Sequence, residues 1–145
     1  MVFSKSDFDV TNPIVVLRLM CGLFYIPHVV AKIINTPALL GFFTVAGFPA
    51  PLYVLILAGA VEALCALGLT LNIYVKWIGL MSAGTMVVAI YALFTVKGVG
   101  WMWNVGGVEY LVFWGASSLA LALHAWKQEF ATHGRVTLFG SPHMA

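Results

Sequence analysis

Charge is what this sequence has least of. Asp, Glu, Lys and Arg make up 8% of its 145 residues, against roughly a quarter in a soluble domain. That is too little polar surface to coat a globule in water, so a water-facing domain is excluded. A net charge of +2 with no basic run excludes nucleic acid as a partner. Cysteine is scarce as well. Cys21 and Cys65 stand alone inside apolar stretches with no CxxC or Cys/His spacing, so both read as small buried hydrophobes. Internal repeats and low-complexity tracts are missing. The N-terminus carries Asp7 and Asp9 where a secretory signal would be basic, and the first apolar segment is long and holds Arg18. It reads as a retained helix.

What is present is long apolar runs. Hydrophobic residues make up 62% of the chain and the mean hydropathy is +1.01. A membrane-spanning helix takes about 20 mostly apolar residues, and four segments qualify, at about 13–34, 51–71, 74–96 and 105–125. The pattern predicts an all-α, integral membrane four-helix bundle forming a single domain over residues 1–145, with a polar C-terminal tail at 126–145. Asn12 is placed to cap the first helix, with Pro13 at its first position. The connection NTPALLGFFTVAGFPAP is too apolar for an aqueous loop and too short to cross. A partly re-entrant segment shielded by protein is expected there. Trp101 and Trp103, in KGVGWMWN, suit a headgroup boundary. Lys5, Lys76, Lys127 and Arg135 gather on one side, against Lys97 and Lys32 on the other, which places both termini in the cytoplasm.

Five ionisable residues fall within or beside these spans: Arg18, His28, Lys32, Glu62 and Glu109. Each costs on the order of 3 kcal/mol at the bilayer centre, and less near the ends. At 3.6 residues per turn, Lys32 lies about 40° from Arg18 around the first helix and His28 about 80°. Tyr25 falls beside the same sector, so one face of this helix is polar and must point inward. Glu62 sits mid-helix among Ala58, Gly59, Ala63, Ala66 and Gly68, a small-residue packing face that carries a carboxylate. Cations and carboxylates facing one interior give the charge balance that a low-dielectric site requires. Haem is not expected, because His28 and His124 fall near opposite membrane faces. No metal site is expected either, since no helical HxxxH or ExxH spacing occurs.

The same residues carry a family resemblance. They include Leu17-Arg18, His28-x-x-x-Lys32, Gly47-Phe48-Pro49-Ala50-Pro51, Gly59-x-x-Glu62 with Leu67-Gly68-Leu69, and Gly106-Gly107-Val108-Glu109-Tyr110. Together they resemble the DoxX family of small four-helix membrane proteins over about residues 15–123. The C-terminal Trp126-Lys127-Gln128-Glu129-Phe130 departs from the family pattern. The resemblance implies a bacterial or archaeal cytoplasmic (inner) membrane protein. Some relatives are subunits of thiosulfate:quinone oxidoreductase.

Three functions compete. The first is a membrane subunit of a redox system that binds a quinone or a similar lipid-soluble redox molecule. In that reading His28, Lys32, Arg18, Tyr25, Tyr110 and Trp103 would bind it, and Glu62 and Glu109 would relay protons. The second is a non-catalytic anchor or assembly subunit of a partner oxidoreductase, its buried charges fixing helix register. The third is a proton or small-solute carrier. The lipid bilayer is a partner in all three, joined by a redox partner protein or by further copies of this chain.

Overall fold

The first apolar stretch folds as helix from Pro13, though not as one rod. A computed structural model of the chain describes residues 4–136. A capping box, Ser4 with Asp7, opens a short 3-10 turn at Lys5–Phe8. Asn12 Oδ1 then accepts from the Ile14 N–H at 2.9 Å and starts α1, Pro13–Leu23. Helix α2, Tyr25–Ile34, follows after a break at Phe24. Pro27 causes the break: it has no N–H to offer the Leu23 carbonyl, and its ring crowds that turn. Pro37 repeats the device one element later. It cannot donate to the Ile33 carbonyl, and the Thr36 hydroxyl does so instead at 3.1 Å, while also donating to the Lys32 carbonyl at 2.7 Å.

The segment expected to be re-entrant is thus a helix, α3 (Thr36–Val45), ten residues long and with none of them fully buried. It extends about 15 Å and rests on α2, α4 and α5. Ala50, held between two prolines in the left-handed region at φ 48°, leads into α4, Pro51–Thr70. Helix α4 ends in a six-to-one turn. Ile73 N–H donates to the Gly68 carbonyl at 2.8 Å, with Asn72 left-handed at φ 58°, a conformation asparagine tolerates well. Helix α5 spans Val75–Lys97.

Residues 105–108, expected to begin the fourth helix, are used in a folded-back loop. Val108 and Glu109 N–H groups donate to the Gly100 and Trp101 carbonyls at 3.1 and 3.0 Å. Gly107 is obligatory there, because a Cβ would lie 2.3 Å from the Trp101 carbonyl oxygen. Helix α6 starts at Glu109 and runs to His133, so residues 126–133, expected in a polar tail, are helical. Trp126 packs edge-on against Trp77 of α5 at 5.7 Å between ring centres. The rest of the expected tail, 137–145, lies outside the described residues.

Every regular element among the described residues is helical. Three stretches among the described residues are long and apolar enough to cross a membrane: α1 with α2, α4, and α5. Helix α6 is 25 residues long, but Glu109, Ser117, Ser118 and His124 dilute its apolarity. Cys21, Tyr25, Cys65, Leu69, Met86, Trp114 and Leu121 belong to one core. Helices α1 and α4 touch almost backbone to backbone at Gly22, where a Cβ would stand 2.6 Å from the Thr70 hydroxyl oxygen. The outer surface is apolar too, with Ile33, Tyr53, Val87 and Phe113 largely exposed, as a lipid-facing surface requires.

Candidate functional site

Lys32 is on α2 and Glu62 on the middle of α4, and the structure joins them. Lys32 Nζ donates to both carboxylate oxygens of Glu62 at 2.7 Å, with side-chain exposures of 14% and 10%. The small residues around Glu62 permit this. The Lys32 stem passes Gly59, where a Cβ would lie 3.4 Å from Lys32 Cδ. The two charges neutralise each other, which offsets the cost of holding either one among helices.

About two turns back along α2, Tyr25 is 1% exposed. Its hydroxyl shares a 2.7 Å hydrogen bond with Ser82 Oγ, which shares another of 2.7 Å with Ser118 Oγ. Three buried hydroxyls thus tie α2, α5 and α6 together at one depth. Beside them the Trp114 ring lies 4.7 Å from Tyr25, 5.5 Å from His28 and 6.4 Å from Phe24. Trp114 is buried, while His28 and Phe24 are exposed at the edge of the same seam between α2 and α6. Trp114 Nε1 has no hydrogen-bond partner among the described residues, an arrangement that costs about 1–3 kcal/mol when a donor is buried.

Arg18 does not join this group. Its guanidinium donates to the backbone carbonyls of Asp7, Leu69 and Thr70. It therefore caps the C-terminus of α4, where a cation is favoured by orphan carbonyls and the helix dipole. Asp7 is buried and accepts from Asn72 Nδ2 at 2.7 Å. A second ion pair, Lys76 Nζ to Glu129 Oε2 at 2.6 Å, is buried at the same end. A cavity of about 290 Å³ opens among Asp7, Arg18, Asn72, Lys76, His124 and Glu129. On the N-terminal flank outside the spans, the Thr11 hydroxyl and N–H donate to Asp9 at 2.7 and 3.0 Å and hold its carboxyl below the usual range.

The remaining candidates stand apart. Glu109 begins α6 and makes no side-chain ion pair or hydrogen bond among the described residues. At that position its charge favours the helix N-terminus. Tyr110 is 44% exposed and Trp103 65%, so both face outward rather than toward Lys32 and Glu62. The structure thus brings Tyr25, His28, Lys32 and Glu62 to neighbouring turns and leaves Arg18, Glu109, Tyr110 and Trp103 elsewhere. Trp114, Ser82 and Ser118 were not anticipated. Their signal was faint: polar atoms on faces that otherwise read as plain packing.

A model of the DoxX family matches residues 14–98. The match takes in α1 through α5 and ends before α6. No curated protein and no solved structure matches the chain.

Proposed function

Since the chain belongs to the DoxX family of membrane proteins, we propose that it is the membrane subunit of a redox system and holds a quinone headgroup at the seam between α2 and α6. The observation that carries this reading is the Trp114 indole, a buried donor without a partner among the described residues, beside the exposed imidazole of His28. A quinone asks for hydrogen-bond donors at its carbonyls and apolar walls at its ring. Trp114 and His28 supply the first, and Phe24 and Tyr25 the second. The exposed apolar surface around the seam suits an isoprenoid tail lying in lipid.

When bound, a quinone is a two-electron, two-proton acceptor, the electrons arriving from a partner protein's donor. The chain's own part is to orient the headgroup and keep a proton source near. Lys32 lies one turn beyond His28 and is fixed in place by Glu62, so an acid–base pair stands next to the seam. Helix α6 is a fourth span in this reading, both termini lie on the cytoplasmic side, and the membrane is a bacterial or archaeal inner membrane.

Protein purified in mild detergent is expected to retain quinone, measurable by solvent extraction and mass spectrometry. Retention should fall at least several-fold in His28→Ala and in Glu62→Gln. Retention unchanged in both variants, or no quinone with no uptake of decylubiquinone, removes the reading. A second reading draws on Lys76–Glu129 and the capping Arg18, which are satisfied internally and serve helix register: the chain as a non-catalytic anchor. A stoichiometric partner enzyme in a preparation that binds no quinone would favour it.

A further inference from the structure

Several donors within the helices are committed to partners. Lys32 is spent on both oxygens of Glu62, the Tyr25 hydroxyl on Ser82, and Ser82 on Ser118. Arg18 is turned to three carbonyls at the far end of α1. Trp114 and His28 are among the polar side chains that make no hydrogen bond among the described residues, the first a buried indole and the second an exposed imidazole; Thr70 Oγ1, at the end of α4, is another such buried atom. The two rings are neighbours, 5.5 Å apart in an edge-on arrangement. They come from different helices, and the Tyr25 ring lies 4.7 Å from that of Trp114.

From this we infer that Trp114 and His28 form a donor pair for one carbonyl oxygen of the quinone headgroup, an inference that rests on the quinone reading above. A carbonyl oxygen has two lone pairs, and an indole N–H and a neutral imidazole N–H each donate one hydrogen bond. The pair selects for an acceptor: a ligand that offers a hydroxyl alone, or no polar atom, leaves one donor or both unmet. Phe24 and His28 are the exposed rings beside the indole, 6.4 and 5.5 Å from it between ring centres. The second carbonyl then points away from α6 toward Lys32, one turn along α2, which places one end of the headgroup near the Glu62 pair and the other against α6.

The test uses full-length protein labelled with ¹⁵N at its five tryptophans, held in lipid nanodiscs and titrated with decylubiquinone. Trp114→Phe assigns the indole resonance. On saturation the Trp114 N–H proton should move downfield by about half a ppm or more, while decylbenzene at equal concentration leaves it in place. His28→Phe, which keeps an aromatic ring but removes the donor, should weaken decylubiquinone binding about tenfold and reduce the shift. If decylubiquinone binds, read by retention on the nanodiscs, and the Trp114 resonance does not move, the donor pair is wrong while the quinone reading stands. An equal shift with decylbenzene also overturns it, because ring packing then explains the change. If decylubiquinone is not retained at all, both the pair and the quinone reading fall.

Discussion

Lys32 holds Glu62 through both carboxylate oxygens, so removing either charge strands the other among helices. Lys32→Met and Glu62→Gln should each destabilise the protein by about 3 kcal/mol, the usual result of leaving one buried charge unpaired. The double variant should be more stable than the sum of the two losses, with a coupling of about 1–3 kcal/mol. Reversible unfolding in mixed detergent micelles measures this, and strictly additive losses would show that the pair is not a unit. The partnership was legible in the sequence because two opposite charges in apolar helices leave few other solutions. Lys76 and Glu129 were not, since pairing across 53 residues depends on how α5 and α6 slide past each other. A trace existed: Leu121, Ala122, Ala125 and Glu129 continue one helical face beyond the point where hydropathy declines.

At the scale of the element, two features look unfavourable taken alone. Lys76 lies in the first turn of α5 and Glu129 near the end of α6, each at the wrong pole of its helix dipole. Their mutual ion pair compensates. Exchanging them, Lys76→Glu with Glu129→Lys, keeps a pair and puts both charges at the favoured poles. The exchanged protein should match or exceed the parent's melting temperature, with each single change lowering it by several degrees; an exchange as damaging as the singles would refute this account. The break at Phe24 is the second feature. Pro27→Ala restores an N–H to the Leu23 carbonyl and should fuse α1 and α2 into one helix. That change re-aims the far half, so the Lys32–Glu62 coupling measured above should shrink below about 1 kcal/mol. The break itself was open to reading from Pro27. Its direction was not, because a proline reveals where a helix bends and not which neighbour it bends toward.

For the whole molecule, hydropathy showed the all-helical class and the stretches able to cross, because a bilayer imposes one length on every span. It also put a fourth span at about 105–125, where Glu109, Ser117 and Ser118 lower the apolarity of α6 and Ser118 serves a contact inside the bundle. Antiparallel packing decides more than hydropathy here. Ser118 meets Ser82 about a third of the way along α5, and Glu129 meets Lys76 at its start. Helix α6 therefore runs back beside α5 for most of its length, and if α5 crosses the bilayer α6 crosses with it. Single cysteines at Ser6, Val99 and Thr132, all exposed, test this against the two native cysteines, which are buried. A membrane-impermeant maleimide should label Ser6→Cys and Thr132→Cys only in inside-out vesicles, and Val99→Cys only in intact spheroplasts. Labelling of Thr132→Cys on the same side as Val99→Cys would mean that α6 stays on one face of the membrane. The α2–α6 seam would then not lie within the lipid, and a quinone could not reach it from there.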